Sequence, residues 1–157
     1  MIIPHEVIAL LRGGLSLLVA SSGPELRPAC TRGVGLRFWP DRQHATLFLA
    51  LATAKPVSDQ LLVRPQVAFV VSRPSDYRTV QMKGTVIAVR DALDADRTFV
   101  TECVTAFADL VDGLGVPRQI ALRIAHWPCV ALDVRVSEIF MQTPGPGAGA
   151  SLSGGPP

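Results

Sequence analysis

The segment LFLALATAKPVSDQLLVRPQVAFVVSRPSDYRTVQMKG, residues 47–84, decides how the rest of the chain is read. An apolar run opens it, and a short polar turn and one or two helical turns follow. Two strand-like runs then close it around the tight turn Arg73-Pro74-Ser75-Asp76. Both lysines of the chain, Lys55 and Lys83, fall inside it; the other 13 basic residues are arginines. A lysine just beyond a buried strand, beside a threonine, suits a phosphate held at a strand-to-helix junction. The segment therefore points toward a phosphorylated cofactor.

On its N-terminal side, residues 4–12 read as a short amphipathic helix ended by Gly13-Gly14, with Val7, Ile8, Leu10 and Leu11 as its apolar positions. Residues 15–21 form an apolar strand. The turn Ser22-Gly23-Pro24-Glu25 returns the chain, so residues 28–39 are expected to pair with that strand antiparallel. Strand alternation puts Cys30, Arg32, Val34, Leu36 and Phe38 on one face of it, and Thr31, Gly33, Gly35 and Arg37 on the other. After Pro40-Asp41-Arg42-Gln43, the third strand (45–51) is apolar throughout, as a strand covered on both faces would be.

A short helix is predicted over 56–63 and stopped by Arg64-Pro65; strands are predicted over 66–72 and 77–90. Asp94 is read as the cap of the longest helix, which runs to about Asp112 with Phe99, Cys103, Phe107 and Leu110 at helical spacing. A further short helix (117–124) and a last strand (129–142) complete the order. The expectation is a mainly β (α+β) protein: a six-stranded antiparallel barrel, with the long helix before the last strand plugging one end. The domain is assigned to residues 1–143. The tail 144–157, from the stretch TPGPGAGASLSGGPP, is too rich in Pro and Gly to pack alone.

Composition narrows the partners. At 157 residues the chain fits one domain; 48% of its residues are apolar and 18% charged, a surplus that points to an oligomer interface. Net charge is +2 with no basic block, which removes the electrostatic footprint of a nucleic-acid binder. The opening MIIPHEVIALLRGG lacks a basic leader and is interrupted by Pro4, His5 and Glu6, so neither a signal peptide nor a membrane span is expected. Cys30, Cys103 and Cys129 are widely spaced, which fits free thiols in a reducing cytoplasm and not a metal site. His5, His44 and His126 do not cluster. GxSxG, HExxH and GxxxxGK[ST] motifs are absent.

Three constellations remain. Ala52-Thr53-Ala54-Lys55 offers a hydroxyl, helix-start N–H groups and an ammonium, either as a phosphate cradle or as a helix cap with a solvated lysine. Thr31-Arg32-Gly33-Val34-Gly35 places an arginine fork beside a strand face bare of side chains, open to a flat ring. The competing reading there is an edge strand with a bulge and a salt-bridged arginine. Gln81-Met82-Lys83-Gly84 sets two polar donors on one strand face, for a ring edge, for a phosphate, or for water alone.

Taken together, these segments resemble the pyridoxamine 5'-phosphate oxidase-like, FMN-binding split-barrel family. The likeness spans roughly residues 15–90 and, more loosely, the last strand. It rests on the "RP" strand after the first hairpin, on Thr53 and Lys55 ahead of SDQLLVRPQVAFVVSRP, and on the glutamine-bearing strand YRTVQMKG. The resemblance implies an FMN-dependent oxidoreductase acting on a small molecule, built as a homodimer with FMN at the subunit interface. Arg32, Lys55 and Thr53 would hold the phosphate, with Ala52 at the same junction. Thr31, Gly33 and Val34 would line the ring, and Gln81, with Lys83 beside it, would meet the ring edge from either subunit. The tail carries no arginine and histidine of the kind that hold pyridoxamine phosphate, so that substrate is not expected; the tail would instead act as a lid over the neighbouring subunit's flavin. A flavin-binding protein without turnover, or the same barrel holding haem (through His44 or His126) or a deazaflavin, are the alternatives.

Overall fold

The computed structural model describes residues 1–152. Its strands are β1 (Ser16–Ser22), β2 (Pro28–Phe38), β3 (His44–Ala50), β4 (Gln66–Arg73), β5 (Arg78–Asp91) and β6 (Cys129–Met141). Its helices are α1 (His5–Leu10), α2 (Leu51–Val63), α3 (Arg97–Asp112) and α4 (Arg118–Ala121). The strands close in the order β1-β2-β3-β6-β5-β4, every neighbouring pair antiparallel. The six-stranded antiparallel barrel with its long helix before the last strand is thus the observed fold. Alternating residues such as Leu17 and Val19, Leu47 and Leu49, Phe69 and Val71, and Val80 and Met82 fill the interior. Burying each large side chain contributes roughly 1.5–3 kcal/mol.

α3 does not plug the barrel. Val100 and Val104 pack with Val34, Phe48, Ala50 and Ala131 in a second, outer cluster, so α3 lies against the outside of β2, β3 and β6. The interior is entered instead by Ala54, Val57 and Leu61 of α2, and by Val7 and Leu11 of the N-terminal segment. This explains why α2 begins at Leu51, ahead of the predicted start at Pro56. Three apolar residues spaced along one helical face, all at 3% exposure or less, outweigh the roughly 3 kcal/mol that a proline inside a helix costs. The buried stripe of α3 (Val100, Val104, Ala108, Val111) sits one residue on from the predicted one, leaving Phe99, Cys103 and Phe107 half-buried at its edge.

β2 departs from simple alternation. Gly33 pairs with Leu49 and Gly35 with Phe48, so Val34 is the extra residue of a β-bulge. Before the bulge Arg32 faces outward; after it Leu36 and Phe38 pack on the interior cluster, the face opposite to the one predicted. The two glycines do not leave a shared bare strip. A Cβ on Gly33 would meet Leu17 at 2.2 Å, and one on Gly35 would meet Phe48 at 3.2 Å and Phe99 at 3.5 Å.

Asp94 is not the cap of α3. A single 3₁₀ turn, Asp94–Asp96, precedes the helix. Leu93 N–H donates to the Asp96 carboxylate at 3.2 Å, and Asp96 N–H donates to Leu93 C=O at 2.8 Å. Asp96 also accepts from Arg37 at 2.7 Å and lies 3.9 Å from Arg90. Arg90 donates to Asp133 at 2.9 and 3.2 Å; Thr46 donates to the same carboxylate at 2.7 Å and accepts from the Trp39 indole at 3.0 Å. This chain of charge-assisted bonds ties the start of α3 to β2, β3, β5 and β6.

The described part of the tail packs against the barrel, not alone. Gly149 N–H donates to Met141 C=O at 2.7 Å, Met141 N–H to Ala150 C=O at 2.9 Å, and Leu152 N–H to Ile139 C=O at 2.8 Å. The chain therefore folds back on the end of β6, and Leu152 packs on the interior cluster. Residues 153–157 lie outside the described region.

Asp133→Ala is expected to lower unfolding stability by about 2–3 kcal/mol, because it strands Arg90 and Thr46 without their acceptor. Urea denaturation should show a lower midpoint at an unchanged slope. An unchanged midpoint would mean the network contributes nothing.

Candidate functional site at the junction of β2, α2 and the outer wall

At the strand-to-helix junction, Thr31 on β2 and Thr53 in the first turn of α2 bring their hydroxyls to 3.1 Å. Thr53 also donates to Ala50 C=O at 3.4 Å. Leu51 N–H is taken by Pro128 C=O at 2.8 Å, and no side chain caps α2. Its positive end, with Ala52 and Thr53 exposed in the first turn, faces outward beside the hydroxyl pair. Lys55 lies one turn in. It is 82% exposed and pairs with Asp59 at 2.7 Å, an i,i+4 surface pair of small energetic weight.

Arg32, next to Thr31 in the chain, turns the other way. Its guanidinium lies over the Phe107 ring, 5.0 Å from the centroid, at a pocket between β2 and α3 lined by the backbone of Gly33, Val34 and Gly35. The structure thus brings Thr31 and Thr53 together and leaves Arg32 and Lys55 engaged separately.

Gln81 and Lys83 share the outer face of β5. Pairing registers give one row across the wall, Arg32–Leu18–Val70–Gln81–Phe140, and a second, Cys30–Ala20–Ala68–Lys83–Glu138. Three strand spacings separate Arg32 from Gln81, about 14 Å. No helix among the described residues packs on the middle of this wall, and Leu18 there is 47% exposed. Gln142 donates to the Gln81 carbonyl at 3.2 Å, which turns the Gln81 amide N–H₂ outward. Lys83 lies 3.7 Å from Glu138 and 4.8 Å from the Phe140 ring centroid.

Sequence reading missed this wall as a unit. The signal was present in β1, where buried Leu17 and Val19 alternate with open Leu18 and Ala20, but the pairing of β1 with β4 was not derivable from local pattern. It also missed Cys103 and Phe107 as the wall of the pocket.

The two histidines offered for haem and the two more buried thiols make contacts within the fold. His44 Nδ1 sits 2.6 Å from Asp41, and His126 Nδ1 is 2.8 Å from Ile124 C=O; neither belongs to the wall. Burial first, then the Asp96 charge, push the Cys129 thiol up to about 11, and its Sγ donates to His126 C=O at 2.8 Å. Burial likewise raises the Cys103 thiol, a rise lessened by a backbone hydrogen bond at Leu36 and by the Arg37 charge. Among the described residues, no group of three or more His, Cys, Asp or Glu is placed to hold a metal ion, and no helix is long and apolar enough to cross a membrane.

Comparison with known proteins places the fold. At the level of sequence, no family model matches and no curated protein matches. Solved structures do. HupZ of Group A Streptococcus superposes with a TM-score of 0.57 at 15% identity, over 95% of this chain and 99% of that one. A protein described as a pyridoxamine 5'-phosphate oxidase from Lactobacillus delbrueckii gives 0.54 at 12% identity, over 88% and 93%. An F420 reductase gives 0.52 at 18% identity, over 87% and 98%. The chain has the split-barrel fold of pyridoxamine 5'-phosphate oxidase-like proteins.

The raised Cys129 pKa sets an expected pH dependence. At pH 8 only about a thousandth of this thiol is ionised, so alkylation in the folded protein should be far slower than in urea. Peptide mass spectrometry after timed alkylation reads this out; a rate in the folded protein equal to that in urea would contradict it.

Proposed function

We propose that this chain is a cytoplasmic FMN-dependent oxidoreductase that holds its flavin on the outer wall, between two copies of itself. The observation that carries the reading is the Thr31–Thr53 hydroxyl pair at the uncapped start of α2, one residue along β2 from the edge of an uncovered wall. A dianionic phosphate fits such a junction, where hydroxyls and first-turn N–H groups converge at the positive end of a helix. The wall beyond it fits a flat ring: Leu18 and Val70 offer an apolar surface, and Gln81 and Lys83 stand at its far side.

In this reading Thr31, Thr53 and the Ala52 N–H hold the phosphate. Lys55 exchanges Asp59 for it, which costs little because the exposed pair is weak. Gln142 holds the Gln81 amide so that its N–H₂ donates to a ring carbonyl. Lys83 adds positive charge on the same side, where it would favour a ring bearing negative charge. A second copy covers the wall and excludes water from it, in line with exposed Leu18 and half-buried Val70 and Phe140 there. FMN, when bound, supplies reversible hydride transfer.

A deazaflavin on the same wall is the second reading, favoured by the fold shared with an F420 reductase. Turnover separates an oxidoreductase from a flavin store: the bound flavin should be reduced by a nicotinamide cofactor and reoxidised by an acceptor.

Thr53→Val and Lys55→Ala are each expected to weaken FMN binding about tenfold, the loss of one charge-assisted hydrogen bond. Riboflavin, which lacks the phosphate, should bind both variants as it binds the parent. Flavin fluorescence titration measures this; wild-type affinities for FMN in both variants would remove the junction as the phosphate site.

A further inference from the structure

The pocket between β2 and α3 lies outside the flavin reading. It has a volume of about 50 Å³. Gly33, Val34 and Gly35 line it from β2, Cys103, Val104 and Phe107 from α3, and Leu17 and Val71 from the interior cluster. One charged side chain lines it, Arg32, and no carboxylate does. Arg32 has no ion-pair partner among the described residues, in contrast to Arg37 of the same strand, which pairs with Asp96. Arg32 is half-buried, its guanidinium carbon lies 5.0 Å from the Phe107 ring centroid, and its N–H groups have no protein acceptor among the described residues.

An apolar pocket with a single guanidinium in its lining matches one kind of ligand. We propose that it binds a short-chain carboxylate, with the hydrocarbon tail between Phe107, Val104 and the two glycines and the carboxylate on the Arg32 fork. Guanidinium and carboxylate meet as two parallel charge-assisted hydrogen bonds. At roughly 10–15 Å³ per water-sized occupant, the space takes about four tail atoms, so the fitting acids have about four to six carbons. Cationic ligands are disfavoured by Arg32, and by Arg37, whose charge also reaches Cys103 at the pocket wall.

Isothermal calorimetry on the full chain tests this with hexanoate as the probe and hexylamine and hexanol as its cationic and neutral counterparts. Hexanoate should saturate with a Kd of about 0.1–1 mM, as befits so small a ligand. Hexanol should bind at least tenfold more weakly, and hexylamine should give no saturable heat. Arg32→Gln should weaken hexanoate at least tenfold while leaving the melting temperature and FMN affinity unchanged. Cys103→Phe, which fills the pocket from α3, should abolish hexanoate binding with Arg32 intact. No saturable binding of hexanoate at 10-fold above that Kd range would overturn the proposal. So would undiminished binding in either folded variant. Loss of FMN together with hexanoate in Arg32→Gln would return Arg32 to the phosphate and overturn it as well.

Discussion

The extra residue in β2 organises the molecule. By inserting Val34 between the paired positions of Gly33 and Gly35, the bulge reverses which side chains of that strand face inward. Arg32 and Val34 stay outside, against Phe107 and the α3 cluster, while Leu36 and Phe38 turn into the barrel. Without that phase change, either the lower half of β2 would point Leu36 and Phe38 at solvent, or the upper half would bury Arg32 among apolar residues. The bulge therefore lets one strand serve the core, the α3 interface and the pocket in turn. Gly33 is needed there because Leu17 occupies the space a Cβ would take.

Strand existence and order were legible because turn residues and period-2 apolar patterns agree along the chain. Every one of the six strands lies within a residue or two of its predicted span. What was not legible depended on tertiary contact. A bulge was one of two readings of Thr31–Gly35, but the change of face it brings was not legible, since Val34 is apolar and fits either face. The early start of α2 overrides a proline signal through packing of Ala54 and Val57 inside the barrel. Likewise, α3 covers the outside of the sheet because the apolar Phe48 and Ala50 of β3 face outward and demand a partner there, and α2 has already filled the end.

Of the candidate site, the two threonines, 22 positions apart, meet, while the two cations lie against different partners, Lys55 on Asp59 and Arg32 on Phe107. The residue types alone suited a single phosphate clamp of Arg32 and Lys55. The fold divides them, giving the helix start to the hydroxyls and Lys55, and the β2–α3 pocket to Arg32. Under the proposed function, such a division would give one surface to the phosphate, one to the ring, and leave a separate recess beside them.

The central claim, a flavin shared across the outer walls of two copies, is tested most directly by analytical ultracentrifugation of the chain with FMN, recorded at protein and flavin wavelengths together. The account predicts flavin absorbance that sediments with a species of twice the mass of one 16.7 kDa chain. Flavin that stays behind while the protein sediments, or flavin carried by a single chain, would contradict it.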